Sequence, residues 1–181
     1  MTISVLTTRQ LDQYLDDVSA LLREVFPNAN IDLTPNDELL TYGLVIDNDT
    51  AKTKTNQVVG FGVVYARTMQ QGTRTFNAGI VGGIAIHPDY RGKGFCSHLM
   101  AQLEFAQIQA NVEHSFLFAY EPRVYHAVGY QMLHAPIHFF DTPSNQWASF
   151  VYRGGMVKSF GKENGLPIEP HTLIEFNGQV Y

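Results

Sequence analysis

Residues 81–100 constrain the fold more than any other stretch of this 181-residue chain. They begin as an apolar strand with a glycine pair, turn at His87-Pro88-Asp89, pass through Arg91-Gly92-Lys93-Gly94 and continue as a helix from Phe95. Glycines let the main chain approach an anion closely, and the first turn of a helix offers N–H groups that no helical carbonyl accepts. The order of strand, glycine loop and helix therefore predicts a main-chain binding site for a phosphate group.

The composition indicates a single globular domain in a reducing compartment. Hydrophobic residues make up 45% of the chain and charged residues 16%, and the length allows a full core. The lone cysteine, Cys96, excludes an internal disulfide. The first residues lack the basic start and apolar run of a signal peptide, and no apolar run is long enough to span a bilayer. We therefore expect a cytoplasmic protein without a membrane partner.

The negative charge is concentrated in the first part of the sequence. Residues 1–50 carry nine acids and two arginines, a net charge of −7, whereas the whole chain has −5, so residues 51–181 carry +2. Because no basic region is present, nucleic acid is not an expected partner. The acidic region can steer a cationic substrate towards the protein, or it can be a solvated face that keeps the protein soluble.

Apolar periodicity predicts the elements before the central stretch. Four strands are predicted, over residues 3–6, 42–46, 58–65 and 75–86, and a hairpin turn at 70–73 joins the last two. Residues 7–10 resemble a capping box, after which a helix with one apolar face runs to Pro27. A second, short helix is predicted to begin at residues 34–38, because Pro35 and nearby acids suit a first helical turn.

The elements after the glycine loop alternate between helix and strand. A helix is predicted to about residue 111, then an apolar strand over 115–120 of the kind that is buried on both faces. Pro122 opens a short helix that Gly129 ends, and residues 130–133 and 137–140 form a strand pair. Residues 142–181 are less regular, with strand fragments predicted at 150–152 and 173–176.

Two segments together resemble the GNAT superfamily, the acyl-CoA-dependent N-acetyltransferases. The family signature is Arg or Gln, two residues, Gly, one residue, then Gly or Ala, and residues 91–96 fit it at Arg91 and Gly94 but depart from it at Cys96. About thirty residues later, Val-Tyr-His-Ala-Val-Gly-Tyr at 124–130 resembles the family's F-Y-x-x-x-G-F segment. The resemblance covers about residues 1–141.

Two other phosphate-binding patterns fit less well. Neither Gly92-Lys93 nor Gly161-Lys162 is followed by the Ser or Thr of a Walker A motif. A dinucleotide-binding pattern nearly matches residues 92–97, but Ser97 replaces the third glycine. Several residues also separate the strand from the glycines, whereas a dinucleotide site needs glycines directly at the strand end.

The resemblance implies an α/β fold in which helices flank a mixed, mostly antiparallel central sheet with splayed central strands. It implies a core over residues 1–141, with residues 142–181 as an extension packed on the same domain. That extension closes the acceptor pocket, completes the sheet or forms a homodimer interface, and the sequence does not choose between these. The implied activity is acetyl transfer from acetyl-CoA to a primary amine, on a small molecule or a peptide, by direct attack in a ternary complex. The alternative is a GNAT-like regulatory module that binds acyl-CoA without turnover.

The resemblance also assigns residues to the coenzyme. The strand residues Ile84, Ala85 and Ile86 would splay from the strand at 116–120 and pair with the pantetheine arm, and an N–H of Ile84 or Ala85 would stabilise the oxyanion. The residues assigned to the pyrophosphate, mainly through main-chain N–H groups, are Arg91, Gly92, Lys93, Gly94, Phe95, Cys96 and Ser97. A nucleophilic role for Cys96 is disfavoured, because a thiolate would be repelled by the adjacent pyrophosphate.

Tyr125 stands where the family carries its general-acid tyrosine, which protonates the departing thiolate. An ammonium acceptor must also lose a proton, and the candidate bases are Glu121, Glu24, His87, His114 and Tyr65. Glu121 is the preferred candidate because it follows the splayed strand directly. The acceptor is expected to contact the acidic N-terminal helices and the loops that face Tyr125.

The histidines and aromatic residues give weaker signals. His134 and His138 have a four-residue spacing, but Pro136 lies between them and no acid or cysteine completes a ligand set, so no metal is expected. Aromatic residues at strand spacing either line the acceptor pocket or belong to the core; they are Phe61, Tyr65, Phe139, Phe140 and Trp147.

Overall fold

The computed structural model describes residues 3–29, 31–49, 57–151, 153–161 and 166–181. The elements are β1 (Ile3–Thr8), α1 (Leu15–Val25), β2 (Leu39–Asp47), β3 (Gln57–Gln71), β4 (Arg74–Ile86), a 3₁₀ turn (Pro88–Tyr90), α2 (Phe95–Gln109), β5 (His114–Ala119), α3 (Arg123–His126), β6 (Gln131–Met132), β7 (Ile137–Asp141), β8 (Gln146–Ala148), β9 (Gly154–Ser159) and β10 (Ile174–Glu175). The chain forms two compact units, Met1–Val64 with Gly83–Ala106 and Tyr65–Gly82 with Gln107–Tyr181. The long strands β3 and β4 contribute residues to both.

In the first unit, α2 packs closely on the sheet because two strands carry glycine at the contact. β1 pairs antiparallel with β2, which is the neighbour of β3. A Cβ added at Gly43 of β2 would lie 2.6 Å from Leu99 Cδ1, and one added at Gly62 of β3 would lie 3.1 Å from Leu103 Cδ1. Both leucines are fully buried on α2. This close packing fixes the helix, and with it the position at which the glycine loop ends.

The second unit contains a mixed sheet whose strand order is β6-β9-β5-β4-β3-β10-β7-β8. β4 pairs with β5 in parallel from Ala78↔His114 to Val81↔Leu117, whereas β9 pairs antiparallel with β5 along its whole length. β10 lies between β3 and β7, antiparallel to the first and parallel to the second. The core of this unit consists of Met69, Phe76, Ala78, Ile80, Phe116, Ala135, Ile137, Phe139, Ile174 and Phe176.

The C-terminal residues complete the sheet, which was one of the three roles left open. β8, β9 and β10 all come from residues 142–181. In the predicted strand fragment at 150–152, residues 150 and 151 are not in a strand, and Tyr152 lies outside the described part of the chain. The predicted pairing of 130–133 with 137–140 is wrong, because β6 pairs with β9 whereas β7 pairs with β8 and β10. The domain boundary at residue 141 stays a prediction.

The predicted capping box at residues 7–10 is wrong. Thr8 Oγ1 accepts the N–H of Gln10 at 3.1 Å, which forms a local turn, and α1 begins only at Leu15. Its N-cap, Tyr14, makes no side-chain capping bond. The predicted apolar face is confirmed in part, because Val18, Leu21 and Leu22 are buried whereas Leu15 is 43% exposed. The helix is therefore held by packing and not by its cap.

The short helix predicted at residues 34–38 is not formed. Asp32 Oδ1 accepts the N–H of Thr34 at 2.8 Å, and Asn36 Oδ1 accepts the N–H of Glu38 at 3.0 Å. Such side-chain bonds offer the main chain a turn in place of a helix. The segment therefore runs as two successive turns into β2.

No helix among the described residues is long and apolar enough to cross a membrane.

Candidate active site

The glycine loop, residues 91–94, connects the 3₁₀ turn to α2. Gly92 and Gly94 have φ angles of +71° and +82°, and a Cβ added at either would meet nothing within 4 Å. The helical ladder begins with the His98 N–H, which donates to the Gly94 carbonyl at 3.1 Å. The N–H groups of residues 95–97 therefore precede the ladder and have no acceptor within the helix. An open loop with free helix donors is suited to an anion.

Tyr90 fixes the turn that precedes the loop. Its hydroxyl donates to Oδ2 of Asp47 at 2.6 Å, and Asp47 is buried at the end of β2. That hydrogen bond, together with burial, raises the pKa of Tyr90 to about 12, so the phenol remains a donor at neutral pH. Sequence reasoning missed this pair. The only signal was a tyrosine in the turn motif, and its partner lies 43 residues away.

The two cationic side chains of the loop both donate to main-chain carbonyls. Arg91 Nε donates to the Ile86 carbonyl at 3.0 Å, and Lys93 Nζ donates to the Asp89 carbonyl at 2.6 Å. These bonds tie the loop to the end of β4 and to the 3₁₀ turn. The predicted contacts of the loop with the coenzyme stay predictions.

Gly83 has a left-handed main-chain conformation inside β4, just before the predicted pantetheine-binding residues. Its φ of +61° is left-handed, and a Cβ there would lie 3.2 Å from the ring of Phe61. A left-handed residue inside a strand interrupts the alternation of side chains. The next two isoleucines pack against glycines of β3. A Cβ added at Gly62 would lie 2.5 Å from Ile84 Cδ1, and one added at Gly60 would lie 2.8 Å from Ile86 Cδ1. These glycines of β3 make room for the two isoleucines.

Cys96 lies half-buried in the first turn of α2. Burial raises the pKa of its thiol. The side chain is therefore protonated at neutral pH, which argues against a nucleophilic role and agrees with a small thiol in place of glycine or alanine.

Tyr125 lies on α3, which follows β5 directly. Its N–H donates to the Pro122 carbonyl at 3.0 Å, and its own carbonyl accepts the N–H groups of Val128 and Tyr130 at 3.1 Å each. The Tyr130 ring packs edge-on against the Tyr125 ring, with centroids 6.4 Å apart. The Tyr130 hydroxyl lies 2.6 Å from Oγ of buried Ser115. This hydrogen bond connects the segment that follows α3 to β5.

Residues 7–133 match the family model of the acetyltransferase (GNAT) domain. The chain belongs to the GNAT acetyltransferase family. This family of acyltransferases was the one predicted from the two motifs, and the matched range contains both of them. No curated protein matches the sequence.

Solved structures show the same fold at low sequence identity. A GNAT family N-acetyltransferase from Escherichia coli in complex with CoA superposes with a TM-score of 0.67 at 15% identity, over 96% of this chain and 88% of that one. A GNAT family acetyltransferase from Brucella melitensis in complex with acetyl-CoA superposes with a TM-score of 0.59 at 12% identity, over 96% of this chain and 94% of that one. A GCN5-related N-acetyltransferase from Kribbella flavida superposes with a TM-score of 0.56 at 19% identity, over 73% of this chain and 34% of that one. This chain therefore spans about a third of the Kribbella protein. The predicted fold class is confirmed.

Three of the candidate bases of this GNAT protein lie within 4 Å of a potential ion-pair partner; they are Glu121, His87 and Glu24. Glu121 lies 3.5 Å from Arg123, and both side chains are mostly exposed, so the pair contributes little stability. In the first unit, His87 Nδ1 accepts the Asp89 N–H at 3.2 Å, and its Nε2 lies 3.5 Å from Glu24. A role of Glu121 as base stays a prediction.

Tyr65 and His114, the other candidate bases, are engaged in packing or hydrogen bonds. Tyr65 is buried and stacks on Tyr181, with ring centroids 3.7 Å apart. His114, which is 1% exposed, has Nε2 3.1 Å from the Arg74 guanidinium and Nδ1 2.9 Å from Ser159 Oγ. Because a guanidinium only donates, Nε2 accepts and Nδ1 carries the proton. Both ring nitrogens are thus committed to structure.

His114 should make the stability of the protein depend on pH. Burial, with a smaller contribution from Arg74, lowers its pKa to about 4, whereas an unfolded histidine titrates near 6.5. Between these values the unfolded chain binds a proton that the folded chain does not, so stability falls as pH drops from about 6.5 to about 4. Urea unfolding at several pH values should show this slope, and His114→Asn should flatten it. An unchanged slope in His114→Asn would mean that another group is responsible.

The predicted aromatic acceptor residues fall into different environments. Phe61 is fully buried and packs against Tyr42, so it belongs to the core of the first unit. Trp147 is 51% exposed on β8 and packs against Phe140 and His138.

The described residues contain no group of three or more His, Cys, Asp or Glu side chains able to hold a metal ion.

Proposed function

We propose that the protein transfers the acetyl group of acetyl-CoA to a primary amine on a small molecule or a peptide. The observation that carries the proposal is the open glycine loop, which presents unpaired helix N–H groups in a chain of the GNAT family. The structural relative from Escherichia coli contains CoA and the one from Brucella melitensis contains acetyl-CoA, which supports the pyrophosphate of the coenzyme as the bound anion. The pyrophosphate of the coenzyme would accept from the N–H groups of residues 92–97.

The main chain of β4 is the proposed partner of the pantetheine arm. Ile84, Ala85 and Ile86 follow Gly83, whose left-handed φ departs from regular strand conformation. An extended amide-rich arm can pair with such main chain as an added strand does. In the proposal, an N–H of Ile84 or Ala85 donates to the thioester oxygen as negative charge develops there.

The chemical step is direct aminolysis of the thioester. The lone pair of the neutral amine attacks the carbonyl carbon, and the carbon–sulfur bond then breaks. Tyr125 gives its phenolic proton to the departing thiolate, and the proton lost by the amine goes to a base, of which Glu121 is the preferred candidate, directly or through water. The products are the N-acetylated amine and CoA, and Tyr125 regains a proton from solvent.

Release of free thiol from acetyl-CoA in the presence of amines tests the proposal. The panel should pair cationic amines, such as polyamines and lysine-containing peptides, with neutral and acidic amines of similar size. We expect turnover with at least one amine and a preference for cationic ones, because the first 50 residues carry a net charge of −7. If acetyl-CoA raises the melting temperature but no amine gives thiol, the protein is an acyl-CoA-binding module. The cytoplasmic location and a homodimer stay predictions.

A further inference from the structure

We propose that Tyr90 and Asp47 form a positioning pair that holds the glycine loop in the conformation that receives the CoA pyrophosphate. The inference rests on the proposed coenzyme site. It deepens that site by naming two residues outside the loop on which the affinity for CoA depends.

Asp47 is a fixed, buried acceptor. It is 4% exposed and ends β2, opposite Ile3 of β1. Its Oδ1 accepts the Asp49 N–H at 3.0 Å, so the carboxylate is oriented by the main chain, and its Oδ2 accepts from Tyr90. Burial of a carboxylate is costly unless it is hydrogen-bonded, and bonds to an ionised acceptor are stronger than neutral ones. Asp47 therefore gives the Tyr90 hydroxyl a well-defined location.

The Tyr90 ring contacts residues on both sides of the glycine loop. His87, before the loop, packs edge-on against it with centroids 5.6 Å apart. Lys93, within the loop, places its ammonium 5.1 Å from the ring centroid, and Phe95, at the start of α2, packs against it at 6.4 Å. The phenol thus joins the strand end, the loop and the helix start, and its hydroxyl links all three to β2.

The loop needs such a link because its own sequence is flexible. Gly92 and Gly94 face open space, so side-chain packing at these residues does not restrict their main chain. The bonds of Arg91 and Lys93 connect the loop only to residues within five positions along the chain. Tyr90 connects it to another strand. A loop that is ordered before binding loses less entropy when the ligand arrives, which raises the affinity.

The test compares two tyrosine hydroxyls by calorimetric titration with CoA. Tyr90→Phe should weaken CoA binding about tenfold, because it removes a hydrogen bond to a charged group that orders the loop. Tyr42→Phe is the matched control: that hydroxyl also belongs to the β2 region and donates to the Leu33 carbonyl at 3.0 Å. It should lower the melting temperature and leave the CoA dissociation constant unchanged. Equal losses of affinity in the two variants would overturn the proposal.

A double-mutant cycle on the CoA dissociation constant separates positioning from general stability. If Tyr90 and Asp47 act through their hydrogen bond, Tyr90→Phe combined with Asp47→Asn should bind CoA no more weakly than the poorer single variant. Additive losses would show that the two side chains act independently and would overturn the pair. If the wild type binds CoA and Tyr90→Phe binds it with the same affinity, only the positioning pair is contradicted. Wild-type protein that does not bind CoA contradicts the proposed function itself.

Discussion

Gly94→Glu is expected to weaken acetyl-CoA binding by more than about a hundredfold, which corresponds to roughly 3 kcal/mol, and to leave the fold intact. Gly94 immediately precedes α2, and a side chain built there would enter open space beside the free helix N–H groups. A carboxylate at that place would repel the pyrophosphate and compete with it for the same donors. Isothermal titration with acetyl-CoA measures the loss, and circular dichroism checks the fold.

Two control variants separate charge and bulk from main-chain strain. Gly94→Ala carries the same cost of a left-handed φ, about 1 kcal/mol, but adds neither charge nor length, so it should retain most of the affinity. Gly161→Glu adds the same carboxylate at an exposed glycine whose Cβ would also meet nothing within 4 Å. It should bind acetyl-CoA like the wild type. Unchanged affinity in Gly94→Glu would show that the glycine loop does not bind the pyrophosphate.

The part of the site that depends on local sequence could be predicted. The glycine loop, the start of α2 at Phe95 and the short helix that carries Tyr125 were all located from patterns within a few residues. Left-handed glycines and free helix donors are properties of the local chain, so the motif and the geometry agree. The hydrogen bond between Tyr90 and Asp47, which holds the turn before the loop, could not be predicted in the same way. Asp47 becomes important only because folding brings it to Tyr90.

The errors in the fold have a similar origin. Pro35 and the acids near it suit the start of a helix, but the side chains of Asp32 and Asn36 accept main-chain hydrogen bonds that stabilise turns. Helix propensity alone does not show whether the turns or the helix are more stable. The strand fragment predicted at 173–176 is present as β10, but its place between β3 and β7 could not be predicted, because distant parts of the chain supply both neighbouring strands.

Tyr125→Phe is expected to lower kcat for acetyl transfer about a hundredfold, which is the usual contribution of a positioned general acid. The substitution removes one oxygen and keeps the ring that packs against Tyr130. Affinity for acetyl-CoA and the melting temperature should therefore change little. Thiol release at saturating acetyl-CoA, with the best amine of the panel, measures the loss.

Tyr130→Phe is the control that distinguishes chemistry from the stability of α3. Its hydroxyl shares a buried hydrogen bond with Ser115, so its removal should destabilise the protein by about 1 kcal/mol while the remaining folded protein keeps its kcat. The two tyrosines are five residues apart in one motif, and each variant loses a single hydroxyl. If both variants lose the same activity, Tyr125 acts through the placement of α3. If neither does, the thiolate obtains its proton elsewhere. A loss of kcat confined to Tyr125→Phe assigns the proton to that phenol.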